Sequence, residues 1–454
     1  MRKFYYFMAV VAVVITSCQQ EVVYHGRPSE EECDVSVGNI KTRTYDEAFA
    51  IAEDALKLLD GEDTRSAKKR VIKRDEGQVV MRPVTRGSET SEEPIMYVFN
   101  NEDNLGFTIV AADRANDPII AVTEKGSYTY GEPTEVAAFD SYMSGVAERL
   151  MTPITPVFPD EPITPSTTII ADTIRHEVTR VGPLLTTKWG QGGVYAIETH
   201  VDRAGCGPIS MAQLMAFHRY PTTVELTYMT PHTMLTLNWD DIVRHTIGEG
   251  EHSGIFAWNY TCDCGCDYMS MAKFIREIGT RANINYSFTM NGLDITVTID
   301  EVKSVLSQMG YHVKEFAPTF IEFETYVPEM LADLNASRPV LILGQDANIE
   351  EGHIWVVDGY HYVDSEIDYY MKNPYYNPFL GGNQQEYEYA YTITEQYEVV
   401  HYNWGWNGMC DGWYNINFFA ADEAFRYDDP NAYNSVDVNF KYDIELLYEI
   451  YPIN

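Results

Sequence analysis

The chain has 454 residues, of which 45% are hydrophobic and 22% charged, and its formal net charge is −36. This length exceeds one ordinary core and predicts two or three domains, and the composition excludes wholesale disorder. The charge speaks against nucleic acid as a partner, since the phosphate backbone would be repelled, and against docking of the protein surface on anionic lipid; it suits a soluble protein working outside the cytoplasm.

The first eighteen residues read as an export signal rather than as fold. Arg2 and Lys3 supply a positive start, and Phe4 to Ile15 form an apolar run too short to span a bilayer. Ile15-Thr16-Ser17-Cys18 resembles a bacterial lipobox, which makes Cys18 the candidate lipidation site. An ordinary cleaved secretory signal is the alternative. The expected location is an exported bacterial protein, lipid-anchored to the outer membrane or cell surface, with membrane contact through the anchor only. Residues 19–40 are polar and read as a tether.

Residues 41–150 read as a small α+β domain. Ala48, Ile51, Ala52, Ala55, Leu58 and Leu59 keep helical spacing between Thr44 and Leu59, and Gly61 ends the run. The basic cluster Lys68-Lys69-Arg70 and Lys73-Arg74, with the polar run on to Glu93, reads as an exposed loop. Ile95 to Asn100 and Gly106 to Asp113 are apolar runs around a polar turn, hence a hairpin, and Pro118 to Val122 adds a third strand. A helix is expected from Thr134 to Leu150. Residues 151–173 then form a Pro-rich linker, with five prolines between Met151 and Ser166.

Residues 174–454 form a larger, aromatic-rich domain. Ala204-Gly205-Cys206-Gly207-Pro208-Ile209 opens a helix that Pro221 stops, with Pro208 tolerated in its first turn. Helices follow over 270–282, 299–309 and 327–335. Strands are expected over 339–344, 353–360, 397–404, 413–418 and 436–451. Helices first and strands later is an α+β order rather than a parallel βαβ alternation. Cys33, Cys262, Cys264, Cys266 and Cys410 do not make a disulfide scaffold in a chain of this size. The run Cys262 to Cys266 has no second Cys/His pair beside it to complete a zinc site, so no metal is assigned and a surface or local disulfide role is expected.

The chemistry centres on Cys206. Flanking glycines leave the backbone bare for a substrate, and a thiol at a helix N-terminus is favoured as thiolate. A buried structural cysteine is the competing reading. His353 follows at a separation within the roughly 130–150 residues typical of papain-like enzymes, at the start of an apolar strand. The turn Asn403-Trp404-Gly405-Trp406 offers an amide oxygen to hold the second imidazole nitrogen and an indole to shield that bond. Gln191, in the glycine-rich turn before the cysteine, could donate with the Cys206 backbone N–H to an oxyanion.

The segments KWGQGG, GCGPISMAQLMAFHRYP, RPVLILG, GHIWVVDGY and NWGWNG closely resemble the streptopain-type cysteine peptidases of bacteria, in the papain-like clan. GFTIVAADRANDPIIAV is similar to their inhibitory propeptide. The resemblance implies a papain-like peptidase domain of helical part plus antiparallel sheet, preceded by a small α+β propeptide. It implies Cys206 as nucleophile, His353 as base, Gln191 as oxyanion donor, and Asn403 with Trp404 as supports. It also implies a zymogen acting on protein or peptide substrates, inhibited by its own propeptide until an activating protease cuts it, with no cofactor. Gly207 and Pro208 depart from the family pattern, which has a short aliphatic residue after the cysteine. A catalytically silent surface binding protein, or a papain-fold acyltransferase, are the alternatives.

Overall fold

The computed structural model describes residues 42–60, 70–86, 89–151, 169–243, 268–286, 295–316, 326–345, 352–372, 387–416 and 443–453. The export signal, Cys18, the tether, Cys33, Lys68, Lys69, most of the linker and the Cys262–Cys266 run lie outside the described residues.

The first segment begins with α1 (Tyr45–Asp60). Thr44 and Glu47 exchange bonds across its first turn, the Thr44 N–H donating to Glu47 Oε2 (2.7 Å) and the Glu47 N–H to Thr44 Oγ1 (3.3 Å). Its Ala48, Ala52, Ala55 and Leu59 are buried as the periodicity requires, Ile51 and Leu58 are partly buried, and Leu56, off the expected stripe, is buried too. Next comes β1 (Gln78–Arg86), paired antiparallel with β2 (Glu89–Asn100). The expected exposed loop up to Glu93 is therefore corrected: from Gln78 the chain is largely strand. β1 ends the sheet, where Pro83 forfeits no ladder bond that the fold needs and the outer face is free to be polar. β3 (Phe107–Ala111) and β4 (Ile119–Thr123) follow as expected, buried throughout. α2 (Ala137–Met151) starts three residues later than predicted, because the Thr134 N–H donates to the Asp140 carboxylate from outside the helix (2.9 and 3.0 Å).

The remainder comprises β5 (Ile169–Val181), α3 (Cys206–His218), the small hairpin β6 (Thr223–Leu226) and β7 (Thr233–Thr236), α4 (Trp239–Ile242), α5 (Tyr268–Arg281), α6 (Ile299–Gln308), β8 (Tyr311–Phe316), α7 (Val327–Asn335), β9 (Val340–Gln345), β10 (Gly352–Lys372), β11 (Tyr387–Asn403), β12 (Gly412–Asn415) and β13 (Asp443–Pro452). β5 begins at Ile169, inside the stretch read as linker to 173, and pairs with β10 from Met371 to Tyr360.

Among the described residues, eleven strands form one sheet in the order β1-β2-β3-β4-β12-β11-β10-β9-β13-β8, with β5 also on β10, and these pairings are all antiparallel. The α+β expectation stands, but the two halves are not separate layers. β4 pairs directly with β12, Thr123 opposite Gly412 and Ala121 opposite Tyr414, so the sheet of the first segment runs into that of the second. Glycine permits this seam: a Cβ on Gly412 would lie 2.3 Å from the Val122 carbonyl oxygen. Two of the three buried apolar clusters among the described residues cross the seam. One joins Phe107, Phe139 and Tyr142 to Tyr402, Trp404 and Tyr414; another joins Tyr97 and Val110 to Val399 and Trp413. The third surrounds α3, which is buried on every side from Gly207 to Ala216 between α5, α6 and β10.

Candidate active site

α3 starts at Cys206 because Gly205, at φ +98°, adopts a backbone conformation that L side chains rarely take. The helix is fixed against β10 by Ser210, whose buried hydroxyl donates to the Ile354 carbonyl (2.8 Å). Ile354 follows His353 on β10, so this bond sets the distance between the two candidate catalytic residues. Gly207 is dictated by packing: a Cβ there would lie 2.4 Å from Val297 Cγ2. The departure from the family pattern at Gly207 thus has a steric partner in Val297.

Cys206 is half-buried, and His353 and the backbone N–H groups of Gly207 and Ile354 act on its sulfur. Burial alone would push the thiol pKa up. The His353 charge, the His353 hydrogen bond and the two N–H groups outweigh that, and the pKa falls below the usual thiol value.

The expected bond from Asn403 to His353 is not formed. His353 Nε2 donates instead to the Trp404 carbonyl oxygen (2.9 Å), which leaves Nδ1 for the thiol. Asn403 acts one step back. Its Oδ1 accepts from the Gly405 N–H (3.2 Å). That N–H belongs to the same planar peptide as the Trp404 carbonyl, and the two point in opposite directions. Holding one end aims the other at His353. Gly405, at φ +74°, allows the turn. The Trp404 N–H is held in its turn by Asp411 Oδ1 (2.8 Å).

Trp404 is buried, as a shield must be, with its ring centroid 6.2 Å from that of His353 and its indole N–H donating to Tyr414 (3.1 Å). Trp355, two residues along β10 on the same face, stacks on the imidazole at 6.1 Å and 14°. Gln191 is buried beside the approach to the helix: its carbonyl accepts from the Ala204 N–H (2.8 Å).

Sequence reasoning missed Gln213, on α3 seven residues beyond the cysteine and wholly buried. Its Oε1 accepts from the Trp189 N–H (2.9 Å) and its Nε2 donates to Asn403 Oδ1 (2.9 Å). The signal available was a large polar residue at a fully buried position of a mostly apolar helix, legible only once the helix was known to be buried all round.

Behind the 404–411 turn lies a buried charge cluster that the sequence did not announce. His401 Nδ1 meets Asp358 Oδ1 at 2.6 Å, and its Nε2 meets Glu124 Oε1 at 3.3 Å. Glu124 also pairs with Lys188. Burial would lower the His401 pKa, but the charge and hydrogen bond of Asp358, with Glu124, raise it to about 10. Burial would raise that of Glu124; His401 and Lys188 instead hold it well below the usual carboxylate range. Asp411, nearby, is pushed up to about 7 by burial, which Lys188, the Trp404 N–H and His401 only partly offset. Glu124 alone of these residues comes from the first segment. Its own N–H donates to the Asp411 carbonyl (2.8 Å), and the Cys410 N–H donates to the Lys125 carbonyl (3.1 Å).

Two stretches of the sequence match known families, residues 189–414 the Peptidase C10 family and residues 39–144 the Spi protease inhibitor. The chain belongs to the peptidase C10 family, the family to which the motifs around Cys206 and His353 pointed, and carries a Spi-type inhibitor segment ahead of its peptidase segment. Among curated proteins it is 21% identical over 349 residues to the thiol protease/hemagglutinin PrtT of Porphyromonas gingivalis, an alignment covering 72% of this chain. The match takes in 34% of that protein, so the chain spans about a third of the relative's length. Among solved structures it is similar to a prointerpain A fragment of Prevotella intermedia, at 17% identity and TM-score 0.46, covering 83% of this chain and 100% of the other. It is also similar to the active wild-type interpain A cysteine protease of that organism, at 17% identity and TM-score 0.35, covering 60% and 95%.

Proposed function

We propose that the chain is the latent precursor of an exported cysteine endopeptidase in which Cys206 is the nucleophile and His353 the general base. One observation carries the reading: a half-buried thiol at a helix N-terminus, its acidity raised by an imidazole whose other nitrogen is held by the Trp404 carbonyl. The Cys206 thiolate attacks a peptide carbonyl and forms a tetrahedral intermediate. The Cys206 backbone N–H and the Gln191 side-chain amide donate to the oxyanion, each worth roughly 3 kcal/mol. The imidazolium of His353 protonates the leaving amine, and the thioester remains on sulfur. His353 then takes a proton from water, which attacks the thioester and releases the acid. Asn403 and Trp404 keep the imidazole in place through the 404–405 peptide, and no step calls for a metal or organic cofactor.

Latency in this reading comes from residues 42–151, which share one sheet and two apolar clusters with the peptidase segment. His353 already acts on Cys206 with this segment in place, so in this reading the segment denies substrate the cleft rather than dismantling the pair. Cleavage by an activating protease in the linker over 151–175, or in the basic stretch 68–74, releases activity in this reading. The fit of Gly207 to Val297 supports a maintained catalytic helix start over drift to a silent binding protein. The lipobox-like Cys18 adds a lipid anchor at the outer membrane or cell surface.

The test is casein hydrolysis by the matured protein. Cys206→Ala lowers the rate by at least about a thousandfold. A variant that digests casein as fast as the unsubstituted protein sinks the proposal.

A further inference from the structure

We propose that Gln213 is a positioning residue that fixes which way round the Asn403 amide sits, and through it the direction in which the Trp404 carbonyl faces His353. The inference rests on the peptidase reading for its catalytic consequence. Its geometric part stands on the hydrogen bonds alone.

Asparagine and glutamine amides can be turned end for end, so the groups around them decide their orientation. Here a backbone group orients Gln213, and Gln213 orients Asn403 together with the Thr187 carbonyl and the Gly405 N–H. The Trp189 N–H can only donate, and it meets Gln213 Oε1 at 2.9 Å. That places the Gln213 amino group toward Asn403, where Nε2 donates to Oδ1 at 2.9 Å. The Thr187 carbonyl can only accept, and it takes Asn403 Nδ2 at 2.8 Å. The Gly405 N–H can only donate, and it takes Asn403 Oδ1 at 3.2 Å. Asn403 Nδ2 also approaches Gln213 Oε1 at 3.3 Å, closing the pair side by side. One arrangement satisfies every group, and it is the arrangement that turns the Trp404 carbonyl to His353 Nε2.

The consequence is mechanical. Gln213 stands on the helix that carries Cys206, the Trp189 loop carries Gln191, and the Asn403 turn holds His353. One buried amide pair joins the three parts that must keep register when the thiol attacks. It touches neither substrate nor either dyad member. A buried polar pair that served stability alone would not need to meet the two loops flanking the cysteine.

Gln213→Glu tests this. An ionised carboxylate still accepts from Trp189 but sets an oxygen against Asn403 Oδ1. The Asn403 amide then turns over and presents its amino group to the Gly405 N–H, and the 404–405 peptide loses its hold. The first readout is the pH midpoint for alkylation of Cys206 by iodoacetamide in the full-length protein, followed by mass spectrometry of the peptide containing that cysteine. The expected midpoint rises by about one pH unit toward that of a free thiol. The second readout is peptide hydrolysis after maturation, where kcat falls about tenfold or more and KM changes little. Gln213→Met, which removes the polar head without adding charge, shifts the midpoint in the same direction by less and serves if Gln213→Glu does not fold. Lower melting temperatures with the unsubstituted alkylation midpoint in both variants would overturn the proposal and leave Gln213 a purely structural residue. Should the unsubstituted matured protein cleave no peptide at all, the peptidase reading fails, while the alkylation midpoints still decide the positioning role.

Discussion

Replacing Glu124 by glutamine would keep the side chain's shape and take its charge out from between Lys188 and His401. Both partners belong to the peptidase segment, and Glu124 belongs to the inhibitor segment, so the change weakens their association rather than either part. The His401 side chain is 3% exposed and that of Glu124 is 25% exposed. Breaking a buried charge pair costs about 3–5 kcal/mol, and partial access of water to Glu124 places the effect near the lower end. About 3 kcal/mol corresponds to roughly a hundredfold in the dissociation constant between the segments. The assay places a cleavage site for a specific protease within 152–168, cuts the chain, and follows the appearance of peptidase activity on dilution. The Glu124→Gln complex should release activity at roughly hundredfold higher protein concentration than the unsubstituted one. Equal release within about threefold would refute the reasoning and leave the β4–β12 seam and the shared apolar clusters as the whole attachment.

Gly207→Ala puts a methyl group against Val297 and should destabilise the chain by about 1–3 kcal/mol, while Val297→Ala in the same chain restores part of the loss; thermal melts of the two single variants and the double variant check it, and simple additivity would contradict the steric pairing. The raised His401 pKa predicts a pH dependence with a definite sign. A cation favoured in the folded state stabilises fully below its unfolded pKa of about 6.5, and the contribution disappears as pH rises through about 10. Urea unfolding of the unsubstituted chain should therefore lose more stability between pH 6 and pH 10 than that of a His401→Gln variant, and identical slopes would contradict it.

Local chemistry was legible in the sequence wherever a short pattern decided the structure. Gly205 before Cys206 marked the start of α3, the apolar run after Gly352 marked β10, and the two runs around Glu102–Leu105 marked the hairpin. The β1 strand was hidden because an edge strand with Pro83 and Arg82 looks like a polar loop when the neighbour covering its other face is unknown. The seam between β4 and β12 joins residues almost three hundred positions apart, and a small residue, Gly412, is its only local sign. Within the site, the structure sets His353 between Cys206 and the Trp404 carbonyl. The error at Asn403 was of directness: an asparagine next to the right tryptophan was read as touching the imidazole, whereas it grips the peptide that does. Gln213 and Glu124 are silent in the sequence because each acts on groups remote along the chain.

In the proposed reading Cys206 is a nucleophile made reactive by His353. The most direct measurement is labelling of the matured protein with an irreversible, thiol-directed peptidyl probe, with the modified residue located by mass spectrometry. The account predicts that the added mass lies on Cys206 and that His353→Ala slows labelling by at least about a hundredfold. Labelling elsewhere, or labelling of Cys206 at an unchanged rate without His353, would contradict it.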